Sequence, residues 1–523
     1  MISGVPHLFR LAHAGYVFAR EGVFALVDTR TLPLLPRIGI ALARLLERRD
    51  ATAQGNRLST ALSALGPTYV KLGQFMATRP DVVGTALARD LESLQDKMPP
   101  FPQAQAEAAI VTAFDRPLTS LYASFGPPVA AASIAQVHRA EVEKGGTRKA
   151  VAVKILRPGV ERRFKVDLDA FLYVAQRAEM MSLEAQRLRP VEAVNTLARS
   201  VAMEMDFRLE AAALSEMAEN ARDDTDFRVP SVDWDRTARE VLTMEWIDGT
   251  PLNDRAALEA RGLDLPALGR TVIQSFLRHA LRDGFFHADM HPGNLFVDAE
   301  GRLVAVDFGI MGRLGLKERR FLAEILLGFI TRDYQHTAQI HFDAGYVPRH
   351  HSVESFAQAI RAIGEPIHNR TAEDISMAKL LMLLFEVTGL FDMRTRPELL
   401  LLQKTMVVVE GVARTFDPKL DMWRTAEPVV REWIERNLGP IGRVEGAVQG
   451  AGEIGKFISQ VPSLLTRAVT LLDQIDDITR NGLVLSPETV EAIGRAEQRR
   501  NRWTAAALWT IAALLAAIVW MLV

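Results

Sequence analysis

The chain has 523 residues, of which 48% are hydrophobic, and it carries a formal net charge of −2 and no cysteine. This length predicts several domains or one large two-lobed enzyme, with ample apolar side chains for a core. The near-neutral charge provides no bulk basic field, so we expect no nucleic-acid partner. The lack of cysteine excludes disulfides, thiolate catalysis and cysteine-ligated zinc.

The chain is predicted to be mainly helical up to about residue 117. Residues 1–60 form an N-terminal helical region to which the sequence assigns no chemistry, and residues 61–117 form a helical extension. In this extension Pro67 suits the first turn of a helix, and Lys71 and Gln74 fall on one face of it. A polar stripe of this kind is usually a solvated face, so the residues alone leave its role open.

Residues 118–250 contain a predicted β region. Its segment Ala150–Leu156 reads as a strand and includes Val-Ala-Val-Lys, ending at Lys154. This run is close to the Val-Ala-Ile-Lys of the kinase strand that carries the phosphate-binding lysine; the alternative is a lysine on an edge strand. The preceding loop lacks the glycines that let a backbone close over phosphates, and small residues stand there instead: Ala130, Ala131, Ala132 and Ser133. We therefore expect phosphate contacts that differ from those of an ordinary kinase.

A helix with several acidic residues is predicted next, over residues 190–220. Glu210 on this helix could pair with Lys154, as the lysine-positioning glutamate of kinases does. Glu204 and Asp206 are two further carboxylates on the same helix. Because acidic side chains on helices usually face solvent, the residues alone assign them no function.

A strand and a turn are predicted over residues 239–252, in the position of a kinase hinge. The backbone around Glu245 and Ile247 would bind an adenine edge there. Residues 266–285 then predict an amphipathic helix that delivers the chain to the motif that follows.

The most informative stretch contains Asp289 and Asn294 and is followed by Asp307-Phe308-Gly309. Between Asn294 and Asp307 the sequence predicts a tight hairpin, whose antiparallel strands bring both residues to one end. A carboxylate and an amide oxygen can hold a divalent cation beside a triphosphate, while a second carboxylate faces the nucleophile. The order and spacing are those of a protein-kinase catalytic loop and its Asp-Phe-Gly.

Two other interpretations of this stretch stay open at the level of single motifs. An Asp-Phe-Gly alone is mostly an ordinary turn. A metal-hydrolase site is the second alternative, with ligands at closely spaced positions: His279, His287, Asp289 and His291. That site would leave Asn294 and Asp307 without a role.

The C-terminal part is predicted to hold a helical lobe, a linker and an anchor. Residues 251–440 would complete the lobe, and residues 441–502 would form an amphipathic helix and a polar linker. Residues 503–523 contain no charge, and as a helix they would span about 31 Å, close to a bilayer core. Arginines precede this stretch, so the bulk of the protein should stay on the cytoplasmic side. A buried terminal helix is the alternative.

Together, these motifs resemble those of the UbiB family of atypical kinase-like ATPases, which includes the aarF-domain-containing kinases. The resemblance covers about residues 60–315 and is carried by the following motifs: Lys71-Leu72-Gly73-Gln74, Ala130-Ala131-Ala132-Ser133, Val151-Ala152-Val153-Lys154, Glu204-Met205-Asp206, His287-Ala288-Asp289 with Asn294, and Asp307-Phe308-Gly309. The first two motifs set this family apart from ordinary kinases.

The resemblance implies an α+β, two-lobed protein-kinase-like fold with extra N-terminal helices and a C-terminal transmembrane helix. It implies ATP and Mg²⁺ as cofactors, Asp289 as the catalytic base, and Asn294 and Asp307 as Mg²⁺ ligands. The implied ATP site consists of Ala130, Ala131, Ala132, Ser133, Lys154, Glu210, Glu245 and Ile247. A regulatory set would fold over the place where a protein substrate docks, and thereby disfavour protein phosphorylation: Lys71, Gly73, Gln74, Glu204 and Asp206.

The family supports ubiquinone biosynthesis at the membrane. The resemblance therefore implies a single-pass protein of the inner (cytoplasmic) membrane, with its catalytic part in the cytoplasm, although bacterial members often end in two spans. Its partners would be membrane lipids, quinone precursors and ubiquinone-biosynthesis enzymes, with a homodimer also considered. Two other hypotheses stay open. A protein kinase is disfavoured by the lack of Ala-Pro-Glu and of a glycine loop, and a scaffold without turnover by the intact catalytic residues.

Overall fold

The structure, a computed structural model, describes residues 5–26, 34–48, 57–77, 98–181, 189–366 and 397–438, together with positions 91, 94, 186, 387 and 389–393. The chain divides into two units, Met1–Ile434 and Glu435–Val523, and the described residues belong almost entirely to the first. The predicted linker at 441–502 and the predicted anchor at 503–523 lie outside them. Within the described ranges, no helix is both long and apolar enough to cross a membrane.

Helices precede the first strand, as the sequence predicts. They are α1 (Val5–Arg20), α2 (Leu34–Arg44), α3 (Arg57–Leu65), α4 (Pro67–Ala77), α5 (Gln103–Phe114) and α6 (Leu118–Leu121), with a 3-10 turn at Val23–Leu26. Buried side chains of α1, α3 and α4 share one apolar cluster that includes Ala14, Leu62 and Val70. On α4, Thr68 Oγ1 donates at 2.7 Å to the buried carboxylate of Asp167. This contact ties α4 to the long helix Val160–Met181, which carries Asp167.

An antiparallel sheet of four strands forms the N-lobe, in the order β1-β2-β3-β5. Its strands are β1 (Ser124–Ala131), β2 (Ala135–Lys144), β3 (Thr147–Leu156) and β5 (Val241–Glu245). Val151, Val153 and Ile155 of β3 are buried against α5 and α6. Because side chains alternate along a strand, Lys154 points to the opposite face of the sheet.

The helices between β3 and β5 differ from the prediction. They are α7 (Val160–Met181), α8 (Pro190–Glu204) and α9 (Phe207–Asn220). The single helix predicted over 190–220 is wrong, because the chain breaks at Met205 and Asp206. Asp206 is the N-cap of α9, and its carboxylate accepts the N–H of Arg208 at 3.1 Å. Aspartate is among the favoured N-cap residues, so the sequence holds a local signal for this break.

A second sheet, in the order β4-β9-β8-β6, carries the predicted hairpin. Its strands are β4 (Phe227–Arg228), β6 (Thr250–Pro251), β8 (Leu295–Val297) and β9 (Leu303–Ala305). The hairpin is confirmed, since β8 and β9 pair antiparallel with Leu295 opposite Ala305. The parallel pairing of β4 with β9 was not predicted. A separate pair joins β7 (Phe285–His287) to β10 (Met311–Arg313), on either side of the hairpin in sequence.

Helices make up the rest of the described C-lobe. They are α10 (Arg255–Ala260), α11 (Leu265–Arg278), α12 (Leu316–Thr331), α13 (Tyr334–Asp343), α14 (Val353–Gly364), α15 (Pro397–Phe416) and α16 (Met422–Leu438). The helix predicted over 266–285 is confirmed as α11, but its last turn, His279–Asp283, widens to a π-helix. Gly284 ends it with a left-handed φ of 65°, and the chain then enters β7.

Candidate active site

Three elements bring one lysine and two carboxylates together between the lobes. Lys154 Nζ on β3 donates to Glu210 Oε1 at 2.8 Å and to Oε2 at 3.0 Å, and it also contacts Asp307 Oδ1 at 3.2 Å. Glu210 lies on α9, and Asp307 follows β9. The predicted pairing of Lys154 with Glu210 is therefore confirmed, and Asp307 completes a cluster that joins the N-lobe to the C-lobe.

The charges of this cluster stabilise one another. Burial by itself would lower the pKa of Lys154, but the carboxylates of Asp307 and Glu210 raise it above its usual value. For Asp307, burial opposes ionisation, yet Lys154 and the N–H of Gly309 bring its pKa well below the usual range. The pKa of Glu210 is raised, chiefly by burial. The amine thus stays protonated beside an ionised Asp307.

The hairpin places Asn294 beside Asp289. Asn294 Nδ2 lies 3.2 Å from Asp289 O and 3.3 Å from Asp289 Oδ2. The N–H of Val306, next to Asp307, donates to Asn294 O at 3.0 Å and closes the end of the hairpin. Asp289, Asn294 and Asp307 are therefore gathered at this end, as the spacing predicts. Because Nδ2 is directed at Asp289, the amide leaves its oxygen Oδ1 for another partner.

His287 supports the loop 288–294, which contains Asp289 and is called the catalytic loop below, from inside the protein. Its Nδ1 accepts the N–H of Asp289 at 3.0 Å, and its ring lies 5.0 Å from that of Phe308. Burial lowers the pKa of His287, so the imidazole is neutral at physiological pH, with Nδ1 free of a proton. The histidine thereby fixes the backbone just before the Asp289 side chain.

The contacts of the histidines argue against the alternative metal-hydrolase site. His279 is buried in the π turn, where Nε2 lies 3.1 Å from Asp224 Oδ2, and His287 is engaged with Asp289 as described. In the part of the chain that the structure describes, the group of side chains close enough to share a metal ion is a different one: His350, His351 and Asp392. Those residues border α14 and lie outside the catalytic loop.

The alanine-rich loop forms the turn from β1 to β2. Ala130 and Ala131 end β1, the N–H of Ala132 donates to Ala135 O at 2.8 Å, and Ser133 is buried. Arg157, which the sequence analysis did not single out, donates from Nε to Ala132 O at 3.0 Å. Both backbone polar groups of Ala132 are thus used inside the N-lobe, so a phosphate at this loop would need other donors.

The predicted hinge is linked through side chains to the hairpin. The carboxylate of Glu245 accepts Arg228 Nη1 at 3.0 Å, and Arg228 Nε donates to Asp298 Oδ2 at 2.9 Å. Asp298 lies in the hairpin turn, and its side chain is only 3% exposed. The Glu245 carboxylate therefore has a structural partner, and its backbone N–H donates to Ser231 O at 2.8 Å. The adenine contact predicted for the backbone of Glu245 and of half-buried Ile247 stays a prediction, and it could not use that N–H. Sequence reasoning missed Arg228 and Asp298, because they are 70 residues apart.

The structure brings two residues of the predicted regulatory set into contact. Lys71 Nζ on α4 lies 2.6 Å from Glu204 Oε2 at the end of α8. Gly73 packs closely against α3, since a Cβ there would lie 2.7 Å from Leu62 Cδ1. Gln74 is half-buried on the same helix. The helix that carries Lys71 is therefore fixed against the helix that leads to α9 and Glu210.

Asp206 departs from that set. Its two carboxylate oxygens accept the guanidinium of Arg208, at 2.9 and 2.7 Å, in addition to the backbone N–H that it caps. Hydrogen bonds from Arg208 are the main cause that lowers its pKa. The described contacts of Asp206 thus stabilise the start of α9, and none of them reaches Lys71.

Comparison with known proteins agrees with this geometry. Residues 93–341 match the ABC1 atypical kinase-like domain, and residues 360–421 match the UbiB helical domain. The chain is 40% identical over 450 residues to "Probable protein kinase UbiB" of Marinobacter nauticus, an alignment covering 85% of this chain and 81% of that protein. The chain belongs to the UbiB family of atypical kinases. Its kinase-like fold of mixed helix and sheet and its class as an atypical kinase or ATPase follow from this membership.

This chain is also similar to a protein of known structure. It is the complex of Rv3197 with erythromycin from Mycobacterium tuberculosis, with 25% sequence identity and a TM-score of 0.52. The similarity covers 71% of this chain and 94% of the mycobacterial one. The two proteins therefore share a fold over nearly the whole of the mycobacterial chain.

Proposed function

We propose that this protein is a membrane-anchored atypical kinase or ATPase that uses Mg-ATP to support ubiquinone biosynthesis, acting on lipid precursors or presenting them to the biosynthetic enzymes. The observation that carries the ATP part is the half-buried Lys154, held at 2.8 Å by Glu210 and at 3.2 Å by Asp307. The family name of the Marinobacter relative supports the pathway, and the apolar stretch 503–523 supports the anchor.

The side chains around Lys154 fit a magnesium nucleotide. The ammonium, protonated and held by Glu210, is a donor for phosphate oxygens. Asp307 and the amide oxygen of Asn294 are the hard oxygen ligands that Mg²⁺ prefers. When bound there, Mg²⁺ would neutralise negative charge on the phosphates. Lys154 would exchange its contact with Asp307 for one with phosphate while keeping its contact with Glu210.

Asp289 is the proposed general base. The N–H of its backbone is held by His287 Nδ1 at 3.0 Å, and its carboxylate is 3.3 Å from Asn294 Nδ2. A carboxylate fixed in this way can accept the proton of an attacking hydroxyl or water. As the new bond to the γ-phosphorus forms, the bond from that phosphorus to the β-phosphate oxygen breaks and ADP leaves. A lipid rather than a protein acceptor is favoured by the resemblance of the Lys71–Gln74 motif to the UbiB family, and the contact of Lys71 with Glu204 ties this motif to the helix that leads to Glu210.

The test is Mg²⁺-dependent turnover of ATP by the full-length protein, with and without liposomes that contain a phenolic quinone-precursor mimic. Radiolabelled γ-phosphate distinguishes release as phosphate from transfer to lipid or protein. Asp307→Asn is the control for metal-dependent turnover. We expect turnover that rises with membrane and lipid and that disappears in the variant.

Three other outcomes would change the proposal. Label transferred to a protein partner would favour a protein kinase, the activity named for the Marinobacter relative. Nucleotide binding without turnover under every condition would favour a scaffold. Turnover indifferent to liposomes and to the phenolic mimic would contradict the lipid part alone.

A further inference from the structure

The long helix α15 packs on the helix that leads to the catalytic loop. Gly269 of α11 approaches α15 so closely that a Cβ there would lie 3.0 Å from Ala413 O. Further along α11, Gln274 Nε2 donates at 3.0 Å to Thr425 O of α16, the helix that follows α15. Since α11 continues through the π turn into β7, α15 is fixed relative to the start of the loop.

One buried hydroxyl of α15 reaches the catalytic loop itself. Thr405 Oγ1 lies 3.0 Å from Ala288 O, and its side chain is fully buried, with 0% exposure. The same oxygen is 2.8 Å from Leu401 O, so its single hydrogen lies between two carbonyls. Leu401 O also accepts the backbone N–H of Thr405, as in any regular helix. Ala288 is buried in an irregular segment, where a carbonyl without a donor is costly.

This contact completes the support of one particular peptide group. The peptide between Ala288 and Asp289 has its C=O at Thr405 Oγ1, at 3.0 Å, and its N–H at His287 Nδ1, also at 3.0 Å. The preceding peptide is held by Ile310, whose carbonyl accepts the Ala288 N–H at 3.0 Å. Both the C=O and the N–H of the peptide group that precedes the Asp289 side chain are thus hydrogen-bonded.

We propose that Thr405 is a positioning residue for Asp289, and that the region matching the UbiB helical domain is in this way part of the phosphotransfer machinery. The proposal rests on the proposed function of Asp289 as base. The contacts of Thr405 Oγ1 are with Ala288 O and Leu401 O, so it touches neither a residue proposed to bind the nucleotide nor the Asp289 carboxylate. It acts by orienting the peptide that carries the base, and small misplacements of a catalytic group cost large factors in rate.

The experiment compares three variants of the full-length protein. Thr405→Val keeps the shape and removes the hydroxyl, whereas Thr405→Ser keeps the hydroxyl. Thr415→Val is the control on the same helix, because the exposed Thr415 makes a local contact, from its Oγ1 to Val412 O at 2.7 Å. We expect Thr405→Val to lower kcat on the order of 10-fold, with little change in KM for ATP. Thr405→Ser should retain most of the turnover, and Thr415→Val should behave as wild type.

A second measurement does not depend on activity. Hydrogen–deuterium exchange of the peptide spanning 286–294 should speed up in Thr405→Val and stay unchanged in Thr415→Val. Equal kcat in Thr405→Val and wild type, or equal losses in both valine variants, would overturn the proposal. If the wild-type protein shows no turnover, the proposed function fails by itself, and unchanged exchange in Thr405→Val would then reject the positioning role. If Thr405→Val does not fold, Thr405→Ala takes its place in both measurements.

Discussion

Lys154 and Lys71 make similar contacts in different places. Each side chain is 12% exposed and each is paired with a glutamate, Glu210 for Lys154 and Glu204 for Lys71. Only Lys154 also contacts Asp307. The two lysines therefore do not differ in exposure or in having a glutamate partner. They differ because Lys154 lies beside Asp307, close to the catalytic loop, and Lys71 does not.

This difference predicts different effects of the same substitution. Lys154→Met should lower ATP turnover by about 100-fold or more, because the ammonium proposed to bind phosphate is lost. Lys71→Met should leave ATP turnover measurable, since Lys71 pairs with Glu204 outside that cluster. Steady-state phosphate release by both variants is the measurement. A comparable loss in the two would contradict the distinct roles assigned to the two lysines.

His341 should make the free energy of unfolding depend on pH. It is half-buried on α13, its Nδ1 donates to Thr337 O at 2.8 Å, and desolvation of the imidazole lowers its pKa. The unfolded imidazole takes up a proton below about pH 6.5, which the folded one resists. The contribution of His341 is therefore fully present above that pH and is lost as the pH falls, by at most about 1.4 kcal/mol per pH unit.

Urea unfolding at pH 7.5 and 5.5 tests this expectation. The free energy of unfolding of wild type should fall more over this interval than that of His341→Gln, whose amide can still donate to Thr337 O. Parallel decreases in the two proteins would show that other groups cause the pH dependence. His138 and His287, whose pKa values burial also lowers, contribute to both proteins equally.

At the scale of elements, the hinge and the hairpin are joined by Arg228. Its guanidinium bridges Glu245 at the end of β5 and Asp298 in the hairpin turn. Arg228→Met should lower the free energy of unfolding by about 2–3 kcal/mol, because it breaks charged hydrogen bonds to a buried carboxylate. The control is Arg431→Met, which removes an exposed pair with Glu427 within α16 and should cost no more than about 0.5 kcal/mol. Chemical denaturation of both proteins measures the difference, and similar costs would count against the bridge.

The elements that the sequence predicts well are those with a local pattern. The strand ending near Lys154 and the hairpin after Asn294 follow from alternation and from turn residues within a few positions. The break at Asp206 has a local signal that the continuous helical pattern around it conceals. The π turn at His279–Asp283 has no such signal, because an α-helical pattern and its widened last turn look alike in sequence.

At the scale of the whole molecule, nucleotide binding should stabilise both lobes together. The proposed ligands come from both, with Lys154 on the N-lobe sheet and Asn294 and Asp307 on the C-lobe hairpin. A non-hydrolysable ATP analogue with Mg²⁺, at 100 times its Kd, should add about 2.7 kcal/mol to the free energy of unfolding. Asp307→Asn should lose the part of this gain that depends on Mg²⁺. Thermal unfolding with analogue plus Mg²⁺ or plus EDTA gives the comparison, and equal shifts in wild type would contradict metal-assisted binding.

The long-range contacts among the described residues could not be predicted from the sequence. Asp224 beyond α9 contacts Arg282 of the π turn at 2.6 Å, and Thr405 reaches Ala288 over 117 residues of chain. Arginine, aspartate and threonine at such separations carry no pattern, because each is common on surfaces and in turns. The candidate site was predictable where the ligands repeat a known order, and its supporting contacts were not.

The β2–β3 turn of the N-lobe and the β8–β9 turn of the C-lobe differ as sites for attaching a label. The β2–β3 turn at Gly145 and Gly146 is exposed, and both glycines have nothing within 4 Å of an added Cβ. The β8–β9 turn contains Asp298, which is bound to Arg228 and Arg302. A fluorophore or affinity tag introduced at the first turn would report on the N-lobe with little disturbance. The same insertion at the second would disturb the contacts of Asp298 with Arg228 and Arg302, and with them the link from this turn to Glu245.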